Sequence, residues 1–261
     1  MSNNKNYIST SLKRGLDILQ LFDEENTSLS LSEISKKLEV NRTVPYRLMF
    51  TLREEGYVIQ DPVTKRYKLS PKVLSLGYSY INSFKLPELI HPYLEEIRNE
   101  INASCYLSVL DEKYVVYIGA ATVKELTGIN VSIGTRLPSY VTANGKLLLS
   151  YQSQDKLKEI LDKGEIYQFT DHTFKHREQL IEELKDIRKQ GYAKTEKEFI
   201  DFISSVAVPV FDSSSQVIAA INVVVPNTSF DKNFLLETAL PKLLEVSKKI
   251  NNYDRNHLYN S

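Results

Sequence analysis

Arg42, Arg47 and Arg53 recur along one segment, and Lys65, Arg66 and Lys68 follow on a short hairpin pattern. Guanidinium forks fit phosphate oxygens and the acceptor edges of bases, so cations on a helix face followed by a basic ribbon suit a DNA duplex. Thr43 and Tyr46 add hydroxyls to that helix face, and Lys13 and Arg14 open an earlier helix. All of these residues are candidate DNA contacts.

A second group is uncharged. Thr142-Ala143-Asn144-Gly145-Lys146 follows Gly134-Thr135-Arg136-Leu137-Pro138, and small residues at a helix start leave backbone N–H groups open to an anion. The same residues read equally well as a plain N-cap with a close-packed glycine. Thr195, Ser205 and Asn222 supply hydroxyl and amide groups beside a strand pair, where burial is costly unless they are satisfied.

Catalytic and metal-binding patterns find no support. His172 and His176 are four apart, but no Glu lies between them and the pair straddles a helix start, so they read as solvated. His91 and His257 have no evident partner. The single cysteine, Cys105, sits in an apolar run and reads as a buried structural thiol; it excludes an intramolecular disulfide and a cysteine cluster. G-x-S-x-G, P-loop and G-x-G-x-x-G motifs are absent, and no cofactor, metal site or catalytic residue is expected.

The elements that must position the cations are legible at residues 29–69. Ser30 and Glu33 form an S-x-x-E capping box, starting a helix that buries Leu31, Ile34 and Leu38. Pro45 belongs in a first turn, so the next helix begins near Arg42 or Thr43, is capped by Asn41 or Thr43, and runs to about Glu55 with Leu48 and Leu52 inward. Gly56 stops it, and residues 57–60 and 65–69 form a hairpin around a turn at 61–64. Leu12, Leu16, Leu19 and Phe22 supply the apolar stripe of a preceding helix. The order is helix-turn-helix plus wing.

From Ser70, Pro71 and an apolar repeat through Ile81 give a connecting helix that also suits a dimer seam. Pro87 and Pro92 frame a break before a helix over residues 93–101. Strands follow at 104–110, 114–120 and 126–133, helices at 142–151, 156–161 and 180–190, a hairpin at 206–211 and 217–225, and a closing helix at 235–250. Irregular mixing of strands and helices predicts an α+β fold rather than a doubly wound one.

With 261 residues, two domains are expected; 33 basic and 33 acidic residues balance. Residues 1–70 hold 11 basic against 9 acidic groups, so DNA affinity must come from placement rather than bulk charge. No apolar run reaches the roughly 20 residues of a membrane span, and the polar N-terminus lacks a signal-peptide core, which predicts a cytoplasmic protein.

Nearly the whole chain resembles the IclR family of bacterial transcriptional regulators. The matching segments are Ser11-Leu12-Lys13-Arg14-Gly15-Leu16-Asp17-Ile18-Leu19, Tyr46-Arg47-Leu48-Met49-Phe50-Thr51-Leu52 with Gly56-Tyr57-Val58, Thr142-Ala143-Asn144-Gly145-Lys146, Ile187-Arg188-Lys189-Gln190-Gly191-Tyr192-Ala193 with Glu198, Val206-Ala207-Val208-Pro209-Val210 and Ala219-Ala220-Ile221. The resemblance implies a winged helix-turn-helix DNA-binding domain over residues 1–70, a linker helix over 71–84 and a GAF-like effector-binding domain over 85–261. It also implies a homodimer or homotetramer. Its ligand pocket would be lined by Leu126, Ile129, Leu137, Ala143, Asn144, Thr195, Ile203, Ser205, Asn222 and Val224. Three residues depart from the family pattern: Phe202 stands where Gly is usual and would narrow the pocket edge, Tyr140 replaces a frequent His, and Pro45 is unusual in the recognition segment, where it would alter DNA preference. The expected function is a ligand-responsive regulator, repressor or activator, of a metabolic or catabolic operon that senses a small organic acid. A metabolic enzyme with an accessory winged domain and a ligand-independent architectural factor remain as alternatives.

Overall fold

The computed structural model describes residues 7–23, 25–83, 86–123, 131–163, 166–231 and 233–258, with side chains to Asn251. Its chain divides into two units, Met1–Ser83 and Phe84–Ser261. In the first, the Ser30 hydroxyl accepts from Glu33 N–H at 3.3 Å, and Glu33 Oε2 accepts from Ser30 N–H at 2.7 Å. This reciprocal capping starts helix α2 (Leu31–Lys37), which follows α1 (Thr10–Leu19) and precedes α3 (Thr43–Glu54).

Gly56 ends α3 at φ 74°. Its N–H donates to Arg53 O at 2.9 Å while Tyr57 N–H donates to Leu52 O at 2.8 Å, the paired bonds of a Schellman stop. The chain then enters β1 (Val58–Gln60), pairs antiparallel with β2 (Tyr67–Leu69), and continues through a 3-10 turn over Pro71–Val73 into α4 (Leu74–Asn82). Leu29 forms an isolated antiparallel bridge to Tyr67. Ile18, Leu29, Ile34, Met49, Val58 and Tyr67 form the core, with Leu31, Leu38, Leu48 and Leu52 half-buried around it.

Three expectations change here. The α1 stripe faces inward only in part: Leu12 and Leu16 are 64% and 51% exposed, while Ile18 is fully buried and Leu19 and Phe22 pack against the core. Because α1 ends at Leu19, Phe22 lies beyond it, and the helix docks by the face bearing Ile18. Neither Asn41 nor Thr43 caps α3; Arg42 is the N-cap and makes no side-chain capping bond. Pro45 is buried on the core side, in the first helical turn, where its missing N–H costs no helical hydrogen bond. It packs the domain and does not face a groove, so it has no direct means of altering DNA preference.

The second unit begins with α5 (Leu86–Ile101), which runs unbroken through Pro92. A proline inside a helix costs about 3 kcal/mol. Burial of Ile90, Leu94 and Ile97, at roughly 1.5–3 kcal/mol each, outweighs it. A six-stranded antiparallel sheet follows in the order β5-β4-β3-β8-β7-β6. Its strands are β3 (Ser104–Asp111), β4 (Tyr114–Ala121), β5 (Arg136–Pro138), β6 (Ala193–Glu196), β7 (Ile203–Phe211) and β8 (Val217–Pro226).

The predicted strand over 126–133 is not borne out where it is described: residues 131–133 form no strand. Gly134, at φ 92°, makes a turn there, its N–H donating to Tyr117 O at 2.7 Å, and the edge strand forms only afterwards. The sheet is covered on one face by α5 and by α9 (Leu240–Leu258), which a π-helical turn over Leu235–Ala239 precedes. On the other lie α6 (Ala143–Ser150), α7 (Gln154–Asp162) and α8 (Arg177–Gln190). Burial of every β7 residue from Ser204 to Val210 reflects this double cover.

Candidate DNA interface and ligand pocket

The exposed side of α3 carries Arg42, Thr43, Tyr46 and Arg47, with Tyr46 60% exposed. Arg42, Arg47, Lys65 and Lys68 form no ion pair among the described residues and remain available to an external anion. An open concavity of about 790 Å³ lies at the N-terminus of α3, where Arg14 and Lys36 join Arg42 and Thr43. Lys36 is not among the candidate DNA contacts named from the sequence. Lys13 lies elsewhere on α1, paired with Asp17 at 2.7 Å.

Two further expected contacts are already engaged. Arg53 pairs with Glu54 at 3.1 Å and lies 5.2 Å from the Phe50 ring centroid. Arg66 donates to Ser28 Oγ at 3.0 Å and Ser28 O at 2.8 Å and pairs with Glu33 at 2.9 Å. The guanidinium thus ties the wing to the capping box of α2. Bonds from Ser30, then the Arg66 guanidinium, hold the Glu33 carboxyl down at about 2. We expect Arg66→Ala to lower the thermal midpoint of the N-terminal unit while leaving the salt dependence of DNA binding near the wild-type slope. A slope reduced by a full counterion, with unchanged stability, would assign Arg66 to the phosphates instead.

In the second unit, strand alternation gathers the uncharged group on the α6 face of the sheet. Asn144 is fully buried, and its Nδ2 donates to Asn222 Oδ1 at 3.0 Å. Thr195 and Ser205 share a hydrogen bond of 2.8 Å, and Ser205 pairs in register with Val224. Ile203 lies two residues before Ser205 on β7, and Ala143 heads α6. Leu137, on the edge strand β5, packs against the same buried apolar cluster as Ala143 and Val224. Leu126 and Ile129 lie outside the described residues.

Two buried oxygens on this face, Asn144 Oδ1 and Ser108 Oγ, have no hydrogen-bond partner among the described residues. Ser108 and Tyr106 were missed in the sequence; Tyr106 pairs in register with Asn222. The signal was the alternation of Ser104, Tyr106 and Ser108, hidden within an otherwise apolar strand. For Gly145 the plain structural reading prevails. A Cβ there would come within 2.1 Å of Ser139 O, so the chain's own backbone fills the space, and Gly145 N–H donates to Thr142 Oγ1 at 3.1 Å. Tyr140, whose hydroxyl donates to Tyr167 O at 3.0 Å, is engaged in an aromatic cluster with Phe169. Phe202 is 43% exposed, and its carbonyl accepts from Asn227 N–H at 2.8 Å.

Behind the pocket is an ionic group that sequence reading did not identify. Lys146, fully buried, sits 3.0 Å from Glu183 Oε2 and 2.5 Å from Glu198 Oε2, with its ammonium 4.2 Å from the Phe174 ring centroid. The Glu198 contact is an ion pair rather than an aligned hydrogen bond, since Oε2 lies outside hydrogen-bond geometry. Burial pushes the Glu198 carboxyl up to about 7 despite the opposing pull of Lys146. Cys105 is a buried thiol pushed up to about 12 by burial, which removes it as a nucleophile.

Residues 11–62 match the IclR helix-turn-helix domain, and residues 78–252 match the bacterial transcriptional regulator IclR C-terminal domain. The chain belongs to the IclR family. Among IclR-family relatives, the Pca regulon regulatory protein of Pseudomonas putida is 34% identical over 242 residues, covering 92% of this chain and 82% of that protein. A solved structure of the transcriptional regulator RHA06195 from Rhodococcus sp. RHA1 superposes with a TM-score of 0.81 at 31% identity, covering 96% of this chain and all of that one. An IclR homologue from Microbacterium hydrocarbonoxydans, complexed with 4-hydroxybenzoate, shares the fold with a TM-score of 0.80 at 19% identity, over 95% of this chain and 100% of its own. This IclR-family protein is therefore a DNA-binding transcriptional regulator and not an enzyme. Its α+β architecture is that of the family. Among the described residues, no helix is long and apolar enough to cross a membrane.

Proposed function

We propose that this regulator controls a catabolic operon from the cytoplasm and senses a small organic acid on the α6 face of its sheet. The observation that carries the reading is the fully buried Asn144, whose Oδ1 lacks a partner among the described residues beside Asn222, Thr195 and Ser205. An orphaned buried oxygen costs about 1–3 kcal/mol, a penalty that a ligand hydroxyl relieves. Ile203 and Val224 offer apolar wall. A hydroxylated aromatic acid meets these requirements, and the 4-hydroxybenzoate complex of the Microbacterium homologue supports the class.

Residues 1–70, 71–84 and 85–261 serve as DNA reader, linker and sensor. Leu12 and Leu16 on α1, with Leu74, Leu76 and Tyr78 on α4, leave apolar side chains exposed that suit a homodimer, with pairing of dimers giving a tetramer. Effector binding changes DNA affinity only through different affinity for two dimer geometries.

Thermal shift with 4-hydroxybenzoate and related carboxylates, followed by operator titration with the best ligand, tests the assignment. A ligand at 100 times its Kd stabilises wild type by about 2.7 kcal/mol. Asn144→Leu is expected to remove that shift and the operator response while retaining operator affinity. An unaltered shift in Asn144→Leu refutes the pocket.

A further inference from the structure

The same strands present a second, separate recess on their opposite face. Thr195, Ser205 and Val224 form one rung of β6, β7 and β8; Glu196, Ser204 and Val225 form the next, and the pleat turns their side chains to the other side of the sheet. There, with Phe230, Asp231 and Leu235, they line a cavity of about 440 Å³. Its polar lining is dominated by donors with nothing to bind. Asn227 Nδ2 is buried without a hydrogen-bond partner among the described residues. The Ser204 hydroxyl, on a residue only 5% exposed, makes no hydrogen bond among the described residues. The Lys197 ammonium and the His172 ring likewise have no polar partner among them.

Two acids also line the recess, and one of them is ion-paired. Glu196 pairs with Lys194 at 2.5 Å, and Asp231 Oδ1 accepts from Asn233 N–H at 2.8 Å. Uncommitted donors together with a cation select an anion, while Val225, Phe230 and Leu235 supply apolar wall. Lys197 is also fixed in place. Its backbone lies in the left-handed region at φ 62°, its N–H donates to Ile203 O at 2.8 Å, and its carbonyl accepts from Thr170 Oγ1 at 2.6 Å. Holding a lysine there costs conformational energy, and such strain concentrates at sites that need a side chain in one position.

We propose that this recess is a second ligand site, which binds a small monocarboxylate with an apolar body through Lys197, Ser204 and Asn227. Two carboxylates then bind per protomer, back to back across the β6–β7–β8 sheet.

Fluorine NMR of the full chain titrated with 4-fluorobenzoate provides the test. Wild type is expected to show two bound resonances. Lys197→Gly suits a positive φ, removes the ammonium, and should weaken one resonance at least tenfold; Lys197→Arg should keep it. Asn144→Leu should remove only the other resonance, so the two sites fail independently. The proposal is overturned if wild type binds a single probe lost in Asn144→Leu, if both resonances survive Lys197→Gly unweakened, or if no probe binds at all. Circular dichroism of Lys197→Gly checks that a lost resonance does not reflect unfolding.

Discussion

Replacing Lys146 with methionine should destabilise the C-terminal unit by about 3–5 kcal/mol at pH 8, the range for breaking a buried ion pair by removing one partner. Lys146 is fully buried and faces Glu183 and Glu198, so methionine fills its volume but leaves two carboxylates without a counter-charge. Urea unfolding followed by circular dichroism measures the loss, and a change under 1 kcal/mol would show that the ammonium is dispensable. Adding Glu198→Leu should recover much of the loss, because the stranded charge goes with it.

The pH dependence follows from Glu198. Its folded value, about 7, lies above its ordinary value of 4.5, so the native state holds the proton more tightly than the unfolded chain. The associated stability is complete below about pH 4.5 and is lost as pH rises through about 7. Glu198→Gln should therefore lose less stability than wild type between pH 5 and pH 8. Equal losses would mean that Glu198 titrates normally. The Lys146→Met defect should likewise be smaller at pH 5, where Glu198 is protonated.

Arg47→Ala should weaken operator binding by about 1–3 kcal/mol per half-site, the value of a good bidentate base contact, and should relax discrimination at one base pair. Arg47 is exposed on α3 and forms no ion pair among the described residues, so its whole donor fork is available. Lys65→Ala or Lys68→Ala should behave differently, with a uniform loss across sequences and a salt slope shallower by about 1. Operator titrations at several salt concentrations separate the two patterns. If Arg47→Ala lowers affinity equally for operator and random DNA, the residue contacts phosphate and another side chain reads the base.

The elements of the DNA-binding unit were legible because their signals are local. A capping box needs only Ser30 and Glu33, and a helix stop needs only a glycine able to adopt φ 74°. The β7–β8 hairpin was equally plain, since Asp212-Ser213-Ser214-Ser215 separates two apolar runs. Helix α5 was misread at Pro92 because a local penalty was weighed without the long-range burial of Ile90, Leu94 and Ile97 that exceeds it.

Side-chain roles were less legible. Cationic type identified Arg66 as a candidate, but only the approach of β2 to α2 gave it Ser28 and Glu33 as partners. Pro45 looked like a source of DNA preference until its burial placed it in the core. Asn144 and Asn222, far apart in the chain, meet through one hydrogen bond of 3.0 Å, and Lys146 meets Glu183 and Glu198 only where α6, α8 and the segment after β6 converge. Family, architecture and the identity of the available cations were written in local pattern and motif order. Which polar groups are paired, orphaned or spent was decided by packing, because hydrogen-bond satisfaction and desolvation depend on neighbours distant in the chain.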